Sequence, residues 1–196
     1  MRKTLTSSFL NRPTVRVARE LLGKYIVRRY RGRETALMIT EVEAYDGLSD
    51  LASHATQSKN ARMGRAAIMF GPAGYWYVYF TYGIHWLVNI VTGSKDYPAA
   101  ILIRAGEYRE AKTGETIRII GPARLTKFLK IYRAQNGKPA VRDSDLWLED
   151  RGVKIPPARI TASKRVGVDY AGPIWSAKEY NFKIGLGHSA ISRSAE

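Results

Sequence analysis

The chain has 196 residues, 45% of them hydrophobic, which suits one domain with a substantial core. Lys and Arg number 32 against 17 Asp and Glu, a formal net charge of +15 that points to a polyanionic partner, nucleic acid ahead of an anionic membrane surface. The lack of cysteine excludes disulfides, zinc–thiolate sites and cysteine nucleophiles, and the opening MRKTLTSSFLNRP lacks the apolar run of a signal peptide.

In chain order, Asn11 is placed to cap a helix with Pro13 in its first turn. Val15, Ala18, Leu21 and Leu22 give that helix an apolar face, and Gly23 ends it. KYIVRRY and ALMITEVEAY read as a hairpin joined by RGRE. LSDLASHATQSKNARMGR is polar and without a period, so it reads as a long loop of the kind that often carries function. Next, GPAG is a turn, YWYVYF and HWLVNIV are strands, and TYG is a break between them. The run from Tyr75 to Val91 is the most apolar of the chain. Its aromatic and β-branched make-up, interrupted by Thr81, Gly83, His85 and Asn89, argues for strands rather than a membrane span. AAILIRAGE is a further strand. Gly121 and Pro122 open a helix, PARLTKFLKIY, with Leu125, Phe128 and Leu129 on one face. Residues 134–150 read as loop, RITASKRVGVDYAGP holds a strand and a turn, NFKIGLG is a last strand, and residues 189–196 form a loose polar tail. The expected fold is a single α+β domain over residues 1–196, with a curved, largely antiparallel sheet and flanking helices.

Chemistry concentrates in a few places. Glu41 and Glu43 lie two apart on one strand, so they share a face, with Tyr45 beyond them. A strand-end carboxylate beside an aromatic suits a general base toward water; an exposed charge is the plain alternative. Asp46 and Asp50 follow closely, so a carboxylate metal site is a competing reading. Tyr75, Tyr77 and Tyr79 share a face by period two, and Tyr82 falls at the break, where a side chain projects outward; they serve either as core or as stacking surfaces for bases. His85 and Asn89 share a face of an apolar strand, and a buried Asn needs partners. Arg104 ends an apolar strand, either as an edge residue or as the counter-ion of a buried acid such as Glu43. Lys59, Arg62 and Arg65 read as phosphate contacts in a basic loop.

The segments EVEAYDG, MFGPAGYWYVYFTYGIHWLVN, AILIRAGE, GPARLTKFLKI and RVGVDYAG resemble the alkyladenine (3-methyladenine) DNA glycosylase family in order and spacing, from about Leu21 to Gly172. The blocks Y-V-Y-x-x-Y-G-x-H-x-x-x-N and E-x-E-A-Y, the latter with a histidine eleven residues past its second Glu, carry the likeness. The resemblance implies a single-function hydrolase that flips a damaged purine out of double-stranded DNA and leaves an abasic site. It implies Glu43 as the base that activates water, Arg104 and the carbonyl of Val166 as further contacts to that water, and Tyr45, His54 and Tyr79 around the flipped base. Asn89 would crowd the amine of guanine, and Tyr82 would fill the gap in the duplex. It implies no metal or cofactor, a monomer working on damaged DNA away from membranes, and a cytoplasmic location, or a nuclear one in a eukaryote. Val42 replaces a usual threonine, Arg62 to Ala66 (RMGRA) replace a usual R-T-P-R-N, and Ile84 stands where some members have methionine. Rival readings are a basic nucleic-acid-binding module without activity, a metal-dependent nuclease using Glu41, Glu43, Asp46 and Asp50, and a plain α+β domain with its tyrosines in the core.

Overall fold

In the computed structural model residues 2–57 and 60–185 are described; Lys59 and the 189–196 tail of the sequence reading lie outside them. The architecture grows from two long strands. β3 (Arg33–Asp46) and β6 (Ala99–Arg109) pair antiparallel as a spine. β2 (Tyr25–Tyr30) folds back on β3 through Arg31 and Gly32, both left-handed (φ 50° and 76°), the geometry that matches a two-residue hairpin turn to strand twist. β5 (His85–Val91) and then β4 (Trp76–Thr81) extend the other side of β6. β8 (Leu146–Asp150) pairs with β2 and with β1 (Lys3–Thr4), β7 (Thr116–Ile120) pairs with β6, and β10 (Asn181–Ile184) joins β3 to β9 (Ile160–Ser163). The result is a curled antiparallel sheet with a few helices, an α+β domain.

The spine is not regular. Between Ile39 and Val42 the β3–β6 register shifts: Ile39 faces Gly106, Glu41 faces Ala105 and Val42 faces Ile103, so Thr40 and Arg104 fall outside the pairing. Such irregularities bend strands and re-aim side chains. Here the bend sits where β3 changes neighbours, from β2 to β10. Gly106 allows the close crossing, since a Cβ there would lie 2.8 Å from the Met38 carbonyl oxygen.

Alternation assigns the two faces of the sheet. Val42, Ala44, Ile101, Ile103, Val78, Val88 and Ile90 point into the main core, where Leu21, Leu125, Leu129, Leu148 and Phe182 meet them. α2 (Thr14–Leu21) and α3 (Pro122–Leu129) cover that face. The opposite face of β3, β4, β5 and β6 is roofed by the 47–57 and 60–64 stretches and a 3-10 turn, Arg65–Phe70, around Met69, Phe70 and Tyr77.

Several local expectations change. Asn11 closes a short preceding helix, α1 (Ser7–Leu10), and its side chain caps nothing downstream; α2 starts at Thr14 after Pro13. α3 stops at Leu129 because Lys130 turns left-handed (φ 54°), short of Tyr132. Residues 146–150 are strand rather than loop: Leu146, Trp147 and Leu148 are buried, with both faces covered, so no alternation marks them. A fourth helix, α4 (Gly172–Ala177), follows the 160–171 stretch.

Candidate active site

Four strands place their pocket-facing residues in register. Glu43 on β3 is level with Leu102 on β6, Leu102 with Asn89 on β5, and Asn89 with Tyr77 on β4. The next residues on that face are Tyr45, Ala100, Leu87 and Tyr79. They line a cavity of about 470 Å³, closed on the far side by His54 and Arg65 and by the 166–170 segment with Val166 and Tyr170. Tyr82 stands at its mouth.

Glu43 is 0% exposed, yet it borders this cavity. An isolated buried carboxylate is costly, so its partners matter. Oε1 accepts the backbone N–H of Val166 at 2.8 Å and the side-chain amide of Asn181 at 3.1 Å. Oε2 accepts the Tyr45 hydroxyl at 3.0 Å and Nη1 of Arg104 at 3.3 Å. A carboxylate offers about four acceptor sites, and all of them are taken. Arg104 also donates through Nε to Glu41 Oε1 at 2.9 Å, and Asn181 donates to the same oxygen at 2.9 Å. The strand irregularity at Arg104 brings one guanidinium to two acids.

The aromatic wall is equally fixed. The rings of Tyr77 and Tyr79 stack at 5.1 Å, and His54 meets Tyr79 edge-on at 4.7 Å. His54 Nδ1 lies 2.9 Å from the Tyr77 hydroxyl. Burial first, then the Arg65 cation, holds the His54 imidazole down at about 4, so it is neutral at pH 7. Burial pushes the Tyr79 phenol up to about 12 and the Tyr45 and Tyr77 phenols well above their usual range. All three remain hydroxyl donors. Behind Tyr45, Arg165 stacks on the ring at 4.8 Å and forms a fully buried pair with Asp50, at 2.5 and 2.9 Å. Asp50 in turn accepts the N–H groups of Asp46 and Ala52. One ion pair therefore ties together the Tyr45 strand, the loop bearing His54 and the segment bearing Val166.

The sequence-predicted residues Glu43, Arg104, Val166, Tyr45, His54, Tyr79 and Asn89 thus converge on one cavity. Val166 reaches Glu43 through its N–H; the expected role was for its carbonyl. Asn89 is buried and donates to the Tyr77 carbonyl at 3.0 Å. Tyr82 is 91% exposed at the β4–β5 tip, left-handed at φ 50° beside Gly83. Arg62 lies over Phe70 at 4.4 Å and pairs with Asp96, while Arg65 turns toward Tyr79. The four acids of the nuclease reading do not converge: Glu41 and Glu43 hold Arg104, Asp50 holds Arg165, and Asp46 accepts the Tyr97 hydroxyl. Sequence reasoning missed Asn181 and Arg165 as site residues. A lone Asn or Arg in a late segment gives no local signal; only β10 pairing with β3 brings Asn181 to Glu43.

Comparison with known proteins decides the family. The methylpurine-DNA glycosylase model matches residues 8–185. The chain belongs to the methylpurine-DNA glycosylase family. A relative from Anaeromyxobacter sp. is 43% identical over 190 residues, 97% of this chain and 93% of that protein. One from Methanocella arvoryzae is 41% identical over 86% of each chain, and one from Streptomyces avermitilis 40% identical over 88% of this chain and 85% of that protein. All three have been assigned the name 3-methyladenine DNA glycosylase. As a methylpurine-DNA glycosylase the chain is an enzyme of DNA repair, a hydrolase acting on DNA. A plain domain with its tyrosines in the core does not fit a Tyr82 that stands in solvent.

Proposed function

We propose that this enzyme flips alkylated or deaminated purines, with 3-methyladenine foremost, out of duplex DNA into the cavity and hydrolyses the N-glycosidic bond with a water activated by Glu43. The observation that carries this is the buried Glu43 carboxylate at the floor of an aromatic cavity of about 470 Å³, large enough to admit a flipped purine. A base in the stack is out of reach of any such group, so the nucleotide must leave the duplex. Tyr82 at the mouth would occupy the vacated space. Tyr45, Tyr79 and the neutral His54 would enclose the base; electron-rich faces favour a purine made cationic by alkylation. Asn89 would crowd the amine of normal guanine.

Oε1 of Glu43 is held by a backbone N–H and a strand-borne amide, whereas Oε2 is held by side chains of the cavity wall. Oε2 is therefore the working oxygen. Its bond from Arg104 is the longest of the four, and Arg104 keeps Glu41 when it lets go, so water enters there. The water oxygen then bonds to the sugar C1′, its proton passes to Glu43, and the glycosidic electron pair leaves with the purine. Until then the carboxylate stabilises the positive charge growing on the sugar. The product is an abasic site.

The test is incubation with a duplex bearing one hypoxanthine, and with methylated DNA, in EDTA. Release of free base with alkali-labile sites and no borohydride-trapped adduct is the expected result. A trapped adduct would mean an amine nucleophile in place of water, and tight binding without base release would favour the inactive binding module.

A further inference from the structure

We infer that Asn181 is a positioning residue for Glu43: its amide locks the carboxylate plane so that Oε2 and not Oε1 faces the cavity. The inference rests on the reading of Glu43 as the base. Asn181 is 0% exposed at the start of β10, paired with Glu43 itself. Its single Nδ2 reaches Glu43 Oε1 at 3.1 Å and Glu41 Oε1 at 2.9 Å, one N–H for each acid. Its own Oδ1 is buried with no hydrogen-bond partner among the described residues. A flipped amide would set that oxygen against two carboxylates, so the orientation is dictated by the acids. An orphaned buried acceptor is destabilising, and rule-breaking of this kind concentrates at functional sites.

Donation to the charged form of a carboxyl favours that form. The charged and titratable groups around Glu43 are Glu41 and Tyr45 on β3, Arg104 on β6, Tyr79 on β4, His54 on the facing loop, Lys183 on β10 and Arg165 next to Val166. Arg104 is shared between the two acids and leaves Glu43 when water enters. Asn181 then stands beside the Val166 N–H as a fixed donor that still bridges the two like charges.

The experiment compares the native protein with Asn181→Leu, which keeps the bulk, and Asn181→Asp, which puts an acceptor in the donor's place. Single-turnover base release and affinity for lesion DNA are measured across pH. In parallel, the Glu43 carboxyl is followed by carbon-13 NMR in glutamate-labelled protein. The expected result is a loss of about 10- to 100-fold in the cleavage rate with lesion affinity retained. The acid limb of the rate profile and the carboxyl titration both move to higher pH, more in Asn181→Asp. An unchanged rate overturns the inference. So does a rate loss that leaves the pH profile and the carboxyl signal where they were, which marks Asn181 as structural only. Where a variant fails to bind lesion DNA, the carboxyl signal of the other decides. Should Glu43→Gln retain cleavage, the reading of Glu43 as base fails, while the carboxyl signal still reports on Asn181.

Discussion

Glu43 is a buried acid whose every acceptor site is filled, and its behaviour follows from who fills them. Replacing it by Gln keeps the shape and removes the charge; the neutral amide meets Arg104 and the Val166 N–H less well, yet the cavity walls stand on other contacts. His54 gives a second prediction at this scale. The unfolded imidazole takes a proton near 6.5 and the folded one only near 4. The unfolded state therefore binds more protons in between, so the His54 contribution to stability is whole above about pH 6.5 and is lost as pH falls through about 4. Denaturant titrations at pH 7 and pH 4.5 should show a drop that is smaller in His54→Gln. An equal drop in both proteins would place the acid sensitivity elsewhere. Among single residues, Glu43 and Arg104 were legible in the sequence as charges set in apolar strands, and the tyrosines as a cluster between Tyr75 and Tyr82. Asn181 and Arg165 were not, because their partners lie far off in the chain.

At the scale of elements, the β4–β5 tip holds a bulky residue in a left-handed conformation, which costs about 1–2 kcal/mol. Tyr82→Gly removes that strain, against the extra entropy glycine loses on folding, about 0.5–1 kcal/mol. The variant should be more stable by about 0.5–1 kcal/mol and bind lesion DNA more weakly, read by thermal melting and by titration. Lost stability would contradict the strain, and full lesion affinity would refute the wedge. The Arg165–Asp50 pair is the reverse case. Removing Arg165 strands a buried carboxylate, so Arg165→Met should cost about 3–5 kcal/mol in urea unfolding; a cost under about 1 kcal/mol would mean the pair behaves like a surface contact. AAILIRAGE and the YWYVYF and HWLVNIV hairpin were legible as runs of apolar, β-branched and aromatic residues bounded by turn signals. β8 was not legible, since its apolar run is only Leu146, Trp147 and Leu148, too short to stand out from loop. The Glu41 irregularity was invisible too, because a register shift depends on the facing strand.

For the whole molecule, the net charge of +15 was legible at once and is the sequence-independent part of DNA affinity. Binding to undamaged duplex should fall by at least about tenfold between about 50 and 200 mM salt, measured by fluorescence anisotropy; a flat response would deny the basic surface a role. Among the described residues no helix is long and apolar enough to cross a membrane. The largest-scale feature is the division of labour across one sheet, with an apolar core on one face and a cavity on the other. Glu43 belongs to the second face, and the whole account stands on it. The most direct measurement is single-turnover base release from lesion DNA by Glu43→Gln beside the native protein, with lesion affinity measured on the same samples. The account predicts a rate loss of at least about 100-fold with affinity kept. Cleavage at the native rate, or a loss explained wholly by weaker binding, would contradict it.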